Sequence, residues 1–175
     1  MRLASEYAVK LLLPAQPSSE TGKVTERLRA VFDTNVFVSA YLSRNPTSPT
    51  QELIGRWLAG EFTLLVCDAI VDELIEKLIE RRIARADIEA FVALLDSMAE
   101  WVDVPDQAIE QVVLADADDN VVVACAVVGN ADCLVTYDPH IAALGDSYQD
   151  MRITKALPFL WAVRGDKRSD VAENG

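Results

Sequence analysis

Six acids of this 175-residue chain stand where side chains could act on a cation together. Asp33 closes the apolar run Val31-Phe32 and opens Thr34-Asn35-Val36, and Asp138 closes Leu134-Val135-Thr136-Tyr137. Asp116, Asp118 and Asp119 cluster ahead of the apolar stretch 120–128, while Glu73 lies among Ile70, Val71 and Leu74. Carboxylates brought within a few ångströms of one another raise each other's pKa, and a cation relieves that repulsion. Oxygen donors without thiolate or histidine select hard ions, so Mg²⁺ or Mn²⁺ is the expected cofactor rather than zinc. Such ions polarise phosphoryl oxygens and activate water, which makes phosphodiester hydrolysis the chemistry that suits this set.

Each acid also has an ordinary structural explanation. Asp33 is placed equally well for a helix cap and for a site. The acids at 116–119 can cap a helix and complement its dipole, a contribution of roughly 0.3–1 kcal/mol per charge. Glu73 points away from the stripe of Ile70, Leu74 and Leu78, but so do Asp72, Glu76 and Glu80, and periodicity does not choose among them. Glu73 differs only in its place, in what reads as the first turn of a helix near one edge of a sheet.

The elements that must position these acids alternate along the chain. Residues 30–32, 62–66, 101–104 and 133–136 read as strands, with 151–154 as a further one. Helical periods carry Leu53, Ile54, Trp57 and Leu58, then Ile70 to Ile79, then Ile88, Phe91, Val92, Leu95 and Met98. The run 120–128 is apolar all round, as in a helix packed in the interior. This alternation predicts a single three-layer α/β domain, with a mostly parallel central sheet of four to five strands flanked by helices. Such a sheet presents functional residues at the carboxyl ends of its strands. The domain is expected over residues 29–164, after a partly flexible N-terminal extension, 1–28, and before a flexible tail, 165–175.

Composition narrows the function classes. Half the residues are apolar (51%), which excludes a disordered chain, and 16 Lys+Arg against 28 Asp+Glu leave a net charge of −12. That charge is regional: the 66 residues between Arg85 and Arg152 hold 14 acids and no Lys or Arg, and the remainder carries a net +2. An acidic body of this kind excludes loose, charge-driven nucleic-acid binding. Substrate grip must then come from bases outside the block, with Arg44, Arg56, Lys77, Arg81, Arg82 and Arg85 as candidates, although helix-face charges are commonly just solvated. Cys67, Cys125 and Cys133 form neither a CxxC pair nor an even set, and are expected to be buried small hydrophobes in a reducing compartment. Leu11-Leu12-Leu13 is too short for a signal or a membrane span, so a cytoplasmic protein with no membrane partner is expected.

Over residues 29–161 the sequence resembles the PIN domains, metal-dependent ribonucleases that include the toxin halves of many bacterial toxin–antitoxin pairs. Val31-Phe32-Asp33-Thr34-Asn35-Val36-Phe37-Val38-Ser39-Ala40 is similar to the family's opening strand, with Asp33 as first metal acid and Asn35 as an orienting partner. Asp72-Glu73-Leu74 matches its acid-Leu pair and thereby selects Glu73. Asp116-Ala117-Asp118-Asp119-Asn120 resembles its D-x-D-D segment. Its spacing to Ala124 and Ala126 picks Asp119 as third metal acid, with Asp116 auxiliary and Asp118 an alternative. Ala131 to Asp138 is similar to its "VTGD" strand, with Asp138 as fourth acid and Thr136 orienting, and 153–160 resembles the closing strand and helix. Two positions depart from the pattern: Tyr137 replaces a common Gly, and Pro139-His140 replaces a frequent Lys-Asp, which makes the chain's one histidine a surface or supporting residue rather than a catalytic base.

The resemblance implies a metal-dependent endoribonuclease that hydrolyses RNA phosphodiester bonds, as the toxin component of a toxin–antitoxin pair. Catalysis and metal binding would fall to Asp33, Glu73, Asp119 and Asp138. Its partners would be RNA, a small antitoxin protein, and a second copy in a homodimer or higher homo-oligomer. The alternative is a catalytically weak PIN-like interaction or RNA-binding module. A phosphotransferase using Asp33 as nucleophile is a further rival, disfavoured because Asn35 stands where the haloacid-dehalogenase type has its second acid.

Overall fold

The computed structural model describes residues 27–166 and builds its sheet around a short apolar strand, β1 (Arg29–Phe32). Ala30, Val31 and Phe32 have no exposed surface, because β1 is internal to the sheet and both of its faces are covered. The other strands are β2 (Thr63–Val66), β3 (Glu100–Trp101), β4 (Cys133–Val135), β5 (Ser147–Tyr148) and β6 (Met151–Thr154). Their order across the sheet is β3-β2-β1-β4-β6-β5, parallel throughout except where β5 runs against β6.

This order places the functional edge. From β1 the chain steps outward through β2 to β3, then returns across β1 to β4 on its other side. The segments leaving the carboxyl ends of β1 and β4 therefore diverge, and the crevice between them is the topological switch point where α/β sheets bind ligands. Register brings the two strand ends level: Phe32 pairs with Val135, and the Asp33 amide donates to the Val135 carbonyl at 3.0 Å.

Among the described residues seven helices pack around this sheet: α1 (Thr34–Leu42), α2 (Pro49–Leu58), α3 (Asp68–Glu80), α4 (Arg85–Met98), α5 (Asp119–Val128), α6 (Pro139–Ala142) and α7 (Ala156–Arg164). Helix α2 starts with Pro49 after the Ser48 cap, whose hydroxyl accepts from the Gln51 amide. Phe32, Phe62 and Phe159 meet with ring centroids 5.2 to 5.8 Å apart and hold α7 against the strands. Gly129, which ends α5, is required by close approach: a Cβ there would lie 2.9 Å from Cys125 O, Leu65 Cδ1 and Val102 Cγ2. Packing α5 this tightly onto β2 fixes where its opening acid, Asp119, emerges.

Several expectations need correction. The sheet has six strands rather than four to five, because β5 is a two-residue antiparallel edge too short to leave a sequence pattern. The third strand is Glu100–Trp101, not 101–104, since beyond one further bond from Val102 to Val66 the chain turns away toward Pro105. The run 31–40 is not one strand: after Asp33 it becomes α1. Thr34, Val36, Phe37, Val38 and Ala40 are all buried, so this helix carries no polar face and its β-branched residues imitate a strand. Glu73 lies in the second turn of α3, which begins at Asp68, and not in the first.

Of the expected extension, Leu28 already belongs to the domain, its carbonyl accepting from Thr63 N at 2.8 Å. Residues 1–26 of that extension and 167–175 of the expected tail lie outside the described residues. Cys67, Cys125 and Cys133 are buried and unpaired, as expected. No helix among the described residues is long and apolar enough to cross a membrane.

Candidate active site

Asp33 occupies the N-cap position of α1, yet its carboxylate makes no capping bond. It is released for other contacts, which separates the two explanations that position alone leaves equal. The side chain is 3% exposed and almost wholly enclosed by donors. Thr136 donates its hydroxyl to Asp33 Oδ2 at 2.8 Å, Thr34 donates to Oδ1 at 3.3 Å, and Asn35 Nδ2 reaches Oδ2 at 3.4 Å. Burial nevertheless raises the Asp33 pKa, the Thr136 bond and Lys77 oppose that, and Glu73 and Asp138 add to it.

Asp138 is reached through the same threonine. Its amide donates to Thr136 Oγ1 at 2.8 Å, so one hydroxyl ties the ends of β1 and β4 together. The Asp138 carboxylate caps the short α6 by accepting from His140 N at 2.7 Å.

Asp119 opens α5 and turns toward both strand ends. Its Oδ2 is buried with no hydrogen-bond partner among the described residues. Burial, then Asp138, Asp116 and Asp33, push its pKa up to about 6, with His140 opposing. His140 Nδ1 lies 3.8 Å from Asp119 Oδ2 and 3.5 Å from Asp138 Oδ1, beyond good hydrogen-bond reach but within the same cluster. Asp116, Asp119 and His140 each offer a ligand atom within 4.8 Å of the others. Asp118, the alternative to Asp119, is an exposed cap of α5 and makes no side-chain cap bond.

Glu73 comes in from α3. It pairs with Lys77 Nζ at 2.6 Å, and its charge bears on Asp33. Of the expected site residues, then, Asp33, Glu73, Asp119, Asp138, Asp116, Asn35 and Thr136 share one edge of the sheet. Of the expected RNA-gripping bases only Lys77 joins them, and it is taken up by Glu73, Thr34 and Asn35. Arg44 lies beyond the far end of α1. Arg81, Arg82 and Arg85 follow Glu73 by at least eight residues along or beyond α3, a rise of about 12 Å from the acid. Arg85 is paired with Glu89 at 2.7 Å, and Arg56 with Glu52 at 2.8 Å.

Residues that sequence reasoning did not single out complete the site. Asn120 is 1% exposed and holds the loop before α5: its Oδ1 accepts from Val112 N and Val113 N, both at 2.8 Å, and its Nδ2 donates to Val113 O and Ala117 O, both at 3.1 Å. That loop carries Asp116. An Asn inside an otherwise apolar helix is the sequence signal, since a buried amide demands partners. A cleft of about 550 Å³ runs between β6 and α7, lined in part by Tyr137, Asp146, Arg152, Lys155, Trp161 and Asp166, and of the candidate site residues only Thr136 borders it.

Fold and site together define a doubly wound, three-layer α/β domain with a carboxylate cluster at its switch point. The chain belongs to the PIN domain family, whose model matches residues 29–140. Two solved structures have a similar fold. VapBC2 from Rickettsia felis, in a crystal structure bound to a DNA fragment from its promoter, shows a TM-score of 0.53 at 14% identity, covering 72% of this chain and 97% of that one. Mycobacterium tuberculosis VapC20, a sarcin-ricin loop cleaving toxin, shows a TM-score of 0.51 at 16% identity, covering 70% of this chain and 98% of that one. No curated protein sequence matches the chain.

Proposed function

We propose that the chain is a cytoplasmic, Mg²⁺- or Mn²⁺-dependent endoribonuclease and the toxin of a toxin–antitoxin pair. The observation that carries the metal reading is the buried, partnerless Asp119 Oδ2 among converging carboxylates. A buried carboxylate oxygen without a donor is costly, and a hard cation is the partner this oxygen-rich set suits. Asp119 would hold the ion with Asp33 and Asp138, joined by Asp116 and His140, whose ligand atoms lie within 4.8 Å of its own, and Glu73 would stand at the margin. When bound, it supplies Lewis-acid polarisation of a phosphoryl oxygen and activation of water.

The protein's own groups orient that centre. Thr136 fixes Asp33 and Asp138 against each other through its single hydroxyl. Thr34 and Asn35 hold the rotation of the Asp33 carboxylate. Asn120 fixes the backbone that presents Asp116. RNA would reach the site past Thr136, where half-exposed Tyr137 and Trp161 of the adjoining cleft offer faces for unpaired bases, while its Arg152 and Lys155 are matched in number by Asp146 and Asp166. The antitoxin, in this reading, would place a cationic side chain, arginine by geometry, among the same carboxylates. Family membership and the fold shared with VapBC2 and VapC20 support the toxin assignment, and a homodimer belongs to the same reading.

Incubation of the purified protein with a structured RNA tests this directly. Cleavage is expected with Mn²⁺ and none with EDTA. Equal cleavage in EDTA refutes it. The rival, a binding-only module, predicts that Mn²⁺ neither cleaves RNA nor raises the melting temperature.

A further inference from the structure

The two sides of the carboxylate cluster are unlike in charge. On the Asp119 side, a buried oxygen has no donor, and no Lys or Arg pairs with Asp116, Asp119 or Asp138 among the described residues. On the Glu73 side an ammonium is already in place. Lys77 Nζ lies 2.6 Å from Glu73 Oε1, 2.8 Å from Thr34 Oγ1 and 3.4 Å from Asn35 Oδ1. An ammonium has three donors, and here each has an acceptor.

An i,i+4 Glu–Lys pair is by itself an ordinary helix-surface feature. What distinguishes this one is that the ammonium also reaches across to α1, to two residues 43 and 42 positions earlier in the chain. Both are the residues that bond Asp33. Because Lys77 only donates, Thr34 Oγ1 must accept from it and turn its own hydrogen toward Asp33 Oδ1. For the same reason Asn35 must present Oδ1 to Lys77 and Nδ2 to Asp33 Oδ2. One cation thereby sets the direction of two of the three donors to Asp33.

We propose that Lys77 is a built-in cation of this site: it neutralises Glu73, orients Asp33 through Thr34 and Asn35, and leaves room for one divalent ion, on the Asp33–Asp119–Asp138 side. A second divalent ion bound to Glu73 would meet the ammonium on the same carboxylate. Lys77 is thus a positioning residue that sets the metal count. The inference rests on the metal-site reading above.

Mn²⁺ titration of the full chain, followed by calorimetry and by the electron paramagnetic resonance of free Mn²⁺, tests it with four proteins: unaltered, Lys77→Arg, Lys77→Met, and Lys77→Met with Glu73→Gln. The unaltered protein and Lys77→Arg are expected to bind one ion. Lys77→Met is expected to bind two, with the first weakened about tenfold by loss of orientation around Asp33. The double variant is expected to return to one. Two ions on the unaltered protein, or one ion with unchanged affinity on Lys77→Met, overturn the proposal while leaving the metal site itself standing. An unaltered protein that binds no Mn²⁺ overturns both. The stoichiometry of the unaltered protein can refute the proposal even if a variant fails to fold.

Discussion

Replacing Asp119 with Asn should make the metal-free protein more stable at neutral pH, although it removes a residue of the candidate site. The Asp119 pKa rises from 3.8 to about 6 in the fold. That rise corresponds to roughly 3 kcal/mol of unfavourable charge burial once the group is ionised. The side chain is 16% exposed, so solvent screens little of this. An Asn amide in the same place leaves a polar group unpartnered at about 1 kcal/mol, so the net gain is about 2 kcal/mol. For a domain of this size that is an increase in Tm of about 4–8 °C.

The sign with pH follows from the raised folded-state value. The folded chain keeps the Asp119 proton longer than the unfolded chain does, so the contribution of Asp119 to wild-type stability falls as pH rises from about 4 to about 6. The advantage of Asp119→Asn should therefore be full at pH 7.5 and near zero at pH 4.5. Urea and thermal unfolding in EDTA measure it. Saturating Mn²⁺ should reverse the order, since an ion at 100 times its Kd stabilises the wild type by about 2.7 kcal/mol and the variant far less. A variant no more stable than wild type at pH 7.5 without metal, or stabilised equally by Mn²⁺, refutes the reasoning.

Three further substitutions probe the supports around this acid. Thr136→Val removes the hydroxyl shared by Asp33 and the Asp138 amide; stability should fall by about 2 kcal/mol in urea, and Mn²⁺ affinity by calorimetry should fall 10- to 100-fold. Asn120→Ala leaves the amides of Val112 and Val113 without their acceptor; a loss of about 3 kcal/mol is expected, with faster hydrogen exchange at those two amides. His140→Ala removes a nitrogen from the margin of the cluster. Since imidazole suits Mn²⁺ better than Mg²⁺, Mn²⁺ affinity should drop several-fold while Mg²⁺ affinity holds.

The parts of this molecule legible in its sequence are those with a strong local pattern. The short apolar runs of β1, β2 and β4 announce buried parallel strands, and α3 and α4 show their stripes. Helix α1 does not, because burial on nearly every side removes the polar face that would reveal its period. Asp33 and Asp138 are readable because they close strands, and the end of a parallel strand is a place of known geometry. Glu73 is not readable from periodicity, since Asp72, Glu76 and Glu80 share its face; only family resemblance selects it.

Lys77 shows the limit most clearly. In sequence it is one base among several on a helix that could face RNA, and only the fold brings it to Thr34 and Asn35 on another helix. Arg81 and Arg82, one turn further on, look equivalent in sequence and lie away from the carboxylates. The regional charge map survives in altered form. Asp116, Asp119 and Asp138 belong to the acidic block, Asp33 and Glu73 join it through folding, and Arg152 and Lys155, the first bases after the block, line a cleft that meets the site at Thr136.

The central claim is that carboxylates gathered at the β1–β4 switch point cut RNA with a divalent ion. It is tested most directly by the rate at which a structured RNA is cleaved across a Mn²⁺ titration, wild type beside Asp33→Asn. The wild-type rate is expected to rise with Mn²⁺ to saturation and that of the variant to stay at background at every concentration, both proteins being folded by circular dichroism. Cleavage by Asp33→Asn at the wild-type rate would contradict it.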